Sequence, residues 1–492
     1  MNVLLIYPKF PETFWSFTYA LSFIGKKAAF PPLGLLTVAT LLPEKWPKRL
    51  VDVNVDSLTD KDLEWADMAF IGGMAVQRKS AEQIIARCKA SNLKVVAGGP
   101  LFTSEPDEFK QVDHLVLDEA ELTLPAFLSD LQNGQPQKVY RAACFCDLGA
   151  TPIPSWDLVK MKRYASMNIQ FSRGCPFNCD FCNVTTLFGH RSRLKTPQQI
   201  ISELDRIYAS GWRGSIFFVD DNFIGNKRYL KTHLLPALIE WRQDKKGCVF
   251  FTEASINLAD DPELLDLMVA AGFDSVFIGI ESPDEISLTE CHKTQNKNRD
   301  LLESVAIIHR SGLQVMGGFI VGFDCDTPSI FQRQIDFIQK SGIVTAMVGM
   351  LQAPPGTRLF DRLQRESRVV NTFSGDNVDG TTNIIPLMGM DRLLDGYQSI
   401  MQHIYSPRNY YRRVKTLLKE RKAPEIYQPI NFQRFLSFFR SAFRLGVLGK
   451  ERFQYWQLML WTLIRKPRLI PVAITLSIYG YHYRRICELY IY

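Results

Sequence analysis

From residue 166 onward an apolar, β-rich run returns about every 30 residues, each time followed by a helical segment. The runs are MNIQFS, SIFFVD, CVFFTEAS, SVFIGIES, LQVMGGFIVGF and TAMVGML, and between them lie segments such as QQIISELDRIYAS, PELLDLMVAAGF, DLLESVAIIHRSG and IFQRQIDFIQKSG. Alternation at this period predicts parallel strands joined by crossover helices, and six units predict a partial (β/α)6 barrel rather than a closed sandwich. Residues 1–135 alternate in shorter units, NVLLIYP, LVDVNV, MAFIGG, LKVVAGG and HLVLDE, with helical stretches such as SAEQIIARCKA between them. That pattern predicts an open, doubly wound α/β domain whose ligands lie beyond the carboxyl ends of its strands. The chain is therefore read as an α/β protein: a doubly wound domain (1–135), a connector (136–165), the barrel (166–382) and a mainly helical, basic extension (383–492).

The stretch SRGCPFNCDFCN, residues 172–183, places Cys175, Cys179 and Cys182 in a C-x3-C-x2-C spacing on the loop after the first barrel strand. A structural zinc site normally takes four protein ligands. Three thiolates instead hold three corners of a [4Fe–4S] cube and leave one iron for a small molecule. A zinc site completed by Cys144 and Cys146 is the competing reading. The other cysteines are scattered, and MNVLLIYPKF has neither the basic flank nor the long apolar run of a signal peptide, so a reducing cytoplasm is expected.

In the first domain Gly72-Gly73, Gly98-Gly99 and Asp118-Glu119 each follow an apolar run, where small residues let the backbone approach a ligand or simply make a tight turn. No G-x-G-x-x-G follows the first strand, which disfavours a dinucleotide. No D-x-H-x-x-G is present, and the only histidine of residues 1–135, His114, reads as part of a strand.

Charge is unevenly placed. The overall net charge is +7, yet residues 408–492 carry 17 Lys/Arg against 4 Asp/Glu, a local balance of +13. FQRFLSFFRSAFRLGVLG, from Phe432, interleaves aromatic residues with Arg434, Arg440 and Arg444, and the runs YWQLMLWTLI and LIPVAITLSIYG follow. Neither run reaches the roughly 20 residues that cross a bilayer, so an interfacial helix on an anionic membrane surface is predicted, with a helical cover on the barrel as the plain alternative. Nucleic acid is disfavoured, because no recognition motif accompanies the cations.

The cysteine spacing, with Phe181 just before the third cysteine, resembles the radical S-adenosylmethionine (SAM) superfamily; the preceding α/β domain resembles the cobalamin-binding domain of its class B group. The segment TNIIPLMGMDRLLDGYQSIMQHIYSPRNYYRR resembles the extension of hopanoid C-2 methylases and their relatives. The resemblance implies a [4Fe–4S] cluster on the three cysteines, SAM, cobalamin and an electron donor such as flavodoxin or ferredoxin. It implies SAM contacts from Asp220, Asp221 and Asn222, which replace the common Gly-Gly-Glu, and from Glu253 and Ser255. Gly317, Gly318 and Gly322 resemble the glycine-bearing fifth strand near the adenine. Glu281, at the end of its strand, can accept from sugar hydroxyls or form a structural ion pair. The glycine loops and Asp118-Glu119 are candidates for the corrinoid face, without an axial histidine. The implied activity is radical methylation of an unactivated carbon through methylcobalamin, on a hydrophobic substrate such as a polycyclic isoprenoid lipid. A chlorophyll-type tetrapyrrole is the alternative substrate, and a noncatalytic corrinoid or Fe–S binding module is the alternative of another class.

Overall fold

The computed structural model describes residues 1–376, 378–423 and 432–491, without the side chains of residues 432–434. The expected Arg434 side chain therefore lies outside the described residues.

Strands β1 (Val3–Tyr7), β2 (Lys48–Asp52), β3 (Met68–Gly72), β4 (Lys94–Gly98), β5 (His114–Val116) and β6 (Val139–Tyr140) form one parallel sheet in the order β2-β1-β3-β4-β5-β6. Their residues alternate between two apolar clusters: Leu4, Ile6, Ala69 and Ile71 pack on one face, Val3, Leu5, Met68 and Phe70 on the other. Both faces are buried, which is why these strands read as unbroken apolar runs. The sheet reaches past the expected boundary at residue 135. Tyr140 joins it because its ring packs edge-on to Phe127 and its hydroxyl donates to Asp130.

The second sheet is wholly parallel and open. Its strands are β7 (Ser166–Ile169), β10 (Ser215–Phe218), β11 (Val249–Glu253), β12 (Phe273–Glu281), β13 (Gln314–Val321) and β14 (Ala346–Met350), in the order β14-β13-β12-β11-β10-β7. This is the expected six-strand partial barrel. A small antiparallel arm, β8 (Ser172–Arg173) with β9 (Arg193–Leu194), leaves the end of β7 and brackets the cysteine loop.

The extension is helical: Met390–Tyr405, Pro407–Glu420, Phe432–Gly446, Arg452–Arg465 and Ile470–Tyr490. It is built into the barrel. Tyr405 donates to Ala346 O (2.6 Å), and Tyr410 donates to Leu476 O (2.6 Å). The Tyr483 ring stacks on Phe14 at 4.1 Å, tying the last helix back to the loop after β1. The run LIPVAITLSIYG, expected at the membrane boundary, is largely internal: Ala473, Leu476, Ser477, Ile478 and Gly480 are buried. Part of the basic charge is internal too. Arg413 is fully buried and donates to Ile404 O and Val344 O, Arg421 donates to Gly312 O and Asp274 O, and Arg484 pairs with buried Glu451. Guanidinium forks are used here to satisfy carbonyls at loop and strand ends, a role that a charge count cannot distinguish from a surface one. No described helix is long and apolar enough to cross a membrane.

Candidate active site

The cysteine loop runs from β8 to the short helix Val184–Phe188. Gly174, directly before Cys175, has φ +91°, and a Cβ there would meet the carbonyls of Arg191, Phe188 and Gly189 at 2.5–2.9 Å. Only glycine lets the chain turn through that ring of oxygens into the first thiol. The far side of the loop is pinned by Asp180, which takes Arg358 at 2.5 Å and the His292 ring at 2.9 Å.

The three thiols gather in one half-buried region. Asn222 Nδ2 lies 3.9 Å from Cys175 Sγ, and Gln295 Nε2 lies 3.8 Å from Cys179 Sγ. The thiols and the Lys293 ammonium are close enough to act on one another electrostatically, while burial pushes Cys175 up and Cys182 up to about 12. Iron must therefore displace protons as it binds. Among the described residues no three of His, Cys, Asp and Glu converge as around a single metal ion; ligands of a cube stand farther apart, and the donor set of three thiols fits that group. Cys175, Cys179 and Cys182 are free thiols, as are Cys144 and Cys146. Cys144 is exposed, and Cys146 lies beside the guanidiniums of Arg173 and Arg193 at 3.7 and 3.6 Å.

The acidic cluster divides by role. Asp220, expected to hold SAM, is engaged by the loop after β7: it accepts from Phe171 N, Ser172 N and Ser172 Oγ and is 1% exposed. Asn222 bridges, donating toward Cys175 and accepting from Ser255 N at 3.2 Å, and Ser255 in turn donates to Asn257 at 2.6 Å. Asp221 and Glu253 are the groups left open. Asp221 Oδ2 is buried with no hydrogen-bond partner, and burial raises its carboxyl to about 6. Glu253 has neither a hydrogen bond nor an ion pair among the described residues; burial, reinforced by Asp221 and then Asp220, raises it to about 8. Two adjacent carboxyls without a cation form a site for a cationic group, and the α-ammonium and sulfonium of SAM fit it.

Glu281, by contrast, is engaged. A β-bulge and a φ of +62° turn it onto Lys293 at 2.7 Å, forming the structural ion pair. Gly317 and Gly318 lie in β13, where a Cβ would meet Phe319 and Phe277 at 2.9 Å, and Gly322 (φ +104°) ends the strand.

One continuous cavity of about 2170 Å³ joins the two sheets. Its wall includes Gly72, Gly73, Gly98, Gly99, Asp118 and Glu119 from the first domain, Asp220, Asp221 and Glu253 at the barrel's carboxyl end, and Phe217, Phe251, Phe277, Met316 and Met347 inside the barrel. That is more than twice the roughly 300–1,000 Å³ of a single small-molecule site, so it has room for several ligands together. Gly98 is needed for packing as well, since a Cβ would lie 2.4 Å from Val116 O. Glu119 is only 3% exposed and is held by Arg173 at 2.9 Å, Arg193 at 2.8 Å and Cys146 N at 2.7 Å, so it joins the domains rather than offering a free ligand. Asp118 accepts from Ala142 N at 3.0 Å. His114 bonds Gln137 O at 2.6 Å, and no described histidine stands in the cavity wall.

Sequence reasoning missed Arg173, Lys293 and Gln295. Arg173 had a signal, its place two residues before Cys175; the other two had none, because β12 and the short helix Glu285–Glu290 after it bring them to the cysteines.

The raised Glu253 makes a stability prediction. Its folded pKa, about 8, lies above the unfolded value, so the ligand-free fold holds the proton more tightly and loses stability as pH rises from about 4.5 to 8. Glu253→Gln should remove that loss. Calorimetry should show the variant more stable than wild type at pH 8, on the order of 2 kcal/mol, and not at pH 5; an equal advantage at both values would assign the effect to packing.

A three-thiol loop after the first strand of an open six-strand β/α barrel, with a doubly wound domain across a shared cavity, is the arrangement of a radical SAM enzyme. Residues 169–338 match the Radical SAM superfamily, and residues 357–491 match a Domain of unknown function (DUF4070). The chain is 41% identical to the uncharacterized methyltransferase sll1242 of Synechocystis sp., over 99% of this chain and 92% of that protein. It is 35% identical to the hopanoid C-2 methylase of Rhodopseudomonas palustris, over 94% of this chain and 90% of that one. The fold also matches the cobalamin-dependent SAM radical enzyme OxsB with aqua-cobalamin bound, at a TM-score of 0.63 and 14% identity, over 99% of this chain and 80% of that one. The chain belongs to the family of the two relatives from Synechocystis and Rhodopseudomonas within the radical SAM superfamily, whose cofactors are a [4Fe–4S] cluster and SAM.

Proposed function

We propose that this protein transfers a methyl group, through methylcobalamin, to an unactivated carbon of a polycyclic isoprenoid lipid of the hopanoid type. The observation that carries the reading is the cavity, which runs without interruption from the glycine loops of the first domain, past Asp221 and Glu253, into a chamber walled by Phe217, Phe251, Phe277, Met316 and Met347. The extent of the likeness to a hopanoid C-2 methylase supports the substrate class.

When bound, the cofactors supply the hydrogen-abstracting radical and the methyl carrier that C–H methylation requires. Cys175, Cys179 and Cys182 hold the cluster, with Asn222 and Gln295 donating toward two of the sulfurs. Asp221 and Glu253 take the cationic end of SAM, and Ser255, through Asn222, keeps the amide oriented. Gly72, Gly73 and Gly99 would leave room for the corrinoid face, in a part of the cavity wall to which no described histidine contributes. The aromatic chamber orients a rigid apolar substrate and excludes water from the reacting carbon. A carrier such as flavodoxin or ferredoxin delivers the electron, and the enzyme works at the cytoplasmic face of the membrane.

The test is anaerobic reconstitution with cobalamin, SAM, a chemical reductant and a detergent-dispersed hopanoid. The expected product carries one added methyl group, with 5′-deoxyadenosine and S-adenosylhomocysteine formed in equal amounts. Methylation of a chlorophyll-type tetrapyrrole but of no hopanoid overturns the substrate, and failure to retain any corrinoid overturns the reaction.

A further inference from the structure

Helices Phe432–Gly446 and Arg452–Arg465 form a hairpin: Ser441 Oγ lies 3.0 Å from Tyr455 Oη, and Trp456 Nε1 donates to Gly446 O at 2.9 Å. Each helix buries one stripe against the protein, through Ser441 and Leu445 in the first and Tyr455, Leu458 and Thr462 in the second. Each also exposes an apolar stripe. On the first helix Phe435, Phe439 and Phe443 recur at every fourth residue and are all more than half exposed; on the second, Phe453, Leu460 and Ile464 are 72%, 60% and 68% exposed. Single exposed apolar side chains are ordinary, but two adjacent rows of large ones mark a surface that something covers.

The charge around these rows identifies the cover. Residues 435–468 hold seven Lys/Arg and one acidic residue, Glu451, which is buried beneath Arg484. Arg440, Arg444, Arg452 and Arg465 are exposed. Arg440 donates to Phe23 O and Arg444 to Ser22 Oγ, each through one nitrogen, which fixes the hairpin on helix Thr18–Ile24 and leaves further N–H groups for phosphate. A second copy of the chain would bring one cationic rim against another, and a nucleic acid has no use for rows of Phe, Leu and Ile; a bilayer with anionic headgroups matches both the apolar rows and the cations.

The same helix reaches the cavity. Phe435 and Phe438 belong to its wall, as do Ile470, Val472 and Ile474 just after the hairpin. We infer that this hairpin seats on an anionic lipid bilayer and that the cavity is loaded with its apolar substrate from that side. The loading step rests on the function proposed above; the docking step does not.

Docking is tested on the full chain by sedimentation with vesicles of phosphatidylcholine alone and of phosphatidylcholine with roughly one-third phosphatidylglycerol, from about 0.1 to 0.5 M salt. Wild type should prefer the anionic vesicles and keep a salt-resistant fraction. The triple variant Phe453→Ser, Leu460→Ser, Ile464→Ser, none of them in the cavity wall, should lose the salt-resistant fraction by at least about tenfold. Arg452→Gln with Arg465→Gln should weaken only the anionic preference, by about fivefold per cation. The inference is overturned if wild type ignores both vesicles, if the folded triple variant sediments like wild type, or if wild type is a dimer that ignores vesicles and the variant a monomer, which would make the cover a second copy. Loading is read from methylation: the triple variant should match wild type on detergent-dispersed substrate and fall behind on substrate presented in vesicles, and equal rates on both would overturn it. If wild type docks but methylates no lipid in either form, the functional reading fails while the docking surface stands.

Discussion

Replacing any one of Cys175, Cys179 or Cys182 with Ala abolishes the reductive cleavage of SAM, because two thiolates cannot hold three corners of the cube. The loss should exceed the roughly 10–100-fold that follows removal of an outer hydrogen-bond partner of a metal ligand. The fold should survive, since the loop keeps Gly174 at one end and the Asp180, Arg358 and His292 contacts at the other. Anaerobic iron and sulfide analysis, the visible absorption of the cluster and 5′-deoxyadenosine release are the measurements. Cys144→Ala, at an exposed thiol, is the control and should keep all three. Anaerobically prepared wild type holding one zinc and no iron would reject the assignment.

Arg173→Ala should be the most destabilising single substitution between the two domains. Arg173 reaches Glu119 at 2.9 Å, Glu121 at 2.7 Å and Gln170 at 2.7 Å, and the two carboxylate side chains are only 2% and 6% exposed. Burial alone would raise both carboxyls, yet both are lowered, through Cys146 N, Arg173 and Arg193 at Glu119 and mainly through Arg173 at Glu121. Removing the guanidinium leaves Glu121 as an uncompensated buried charge, which costs about 3–5 kcal/mol. Arg173→Lys should recover part of this, because one ammonium cannot span both carboxylates. The sign with pH follows from the lowered values: the stabilisation is complete above about pH 4.5 and is lost as pH falls through the folded pKa values, so wild type and variant should converge in acid. Thermal unfolding of both variants from neutral to acid pH is the check, and a constant gap down to pH 3 would show that the effect is not ionic. Because Arg173 also precedes Gly174 and Cys175, the variant should take up less iron as well.

Much was legible because it is local or periodic. The β/α alternation after residue 166 determined the six-strand barrel, since parallel strands buried on both faces must be apolar throughout and must be joined by crossovers. The C-x3-C-x2-C spacing determined the cluster loop, since all three ligands lie within eight residues. Charge and polar pairing were not legible in this way. Asp220, Asp221 and Asn222 are consecutive and look equivalent on paper, yet β10 ends so that Asp220 points into backbone amides, Asn222 toward Cys175 and only Asp221 keeps a buried oxygen without a partner. Glu119 and Arg173 stand 54 residues apart and meet only because the two sheets do.

The extension shows the same division. Its helices and its surplus of cations could be read from residues 408–492 alone. Which apolar stripe is core and which is surface could not, because LIPVAITLSIYG and YWQLMLWTLI are both largely apolar and the docking of Tyr483 on Phe14 buries much of the first while the second keeps Trp456 and Leu460 outside. The sequence by itself determined the elements and the ligand loop, since these depend on neighbours along the chain. Only the tertiary structure decided which charges are paired, which carboxylates stay open to a ligand and which apolar face is left uncovered, since burial and pairing depend on neighbours in space.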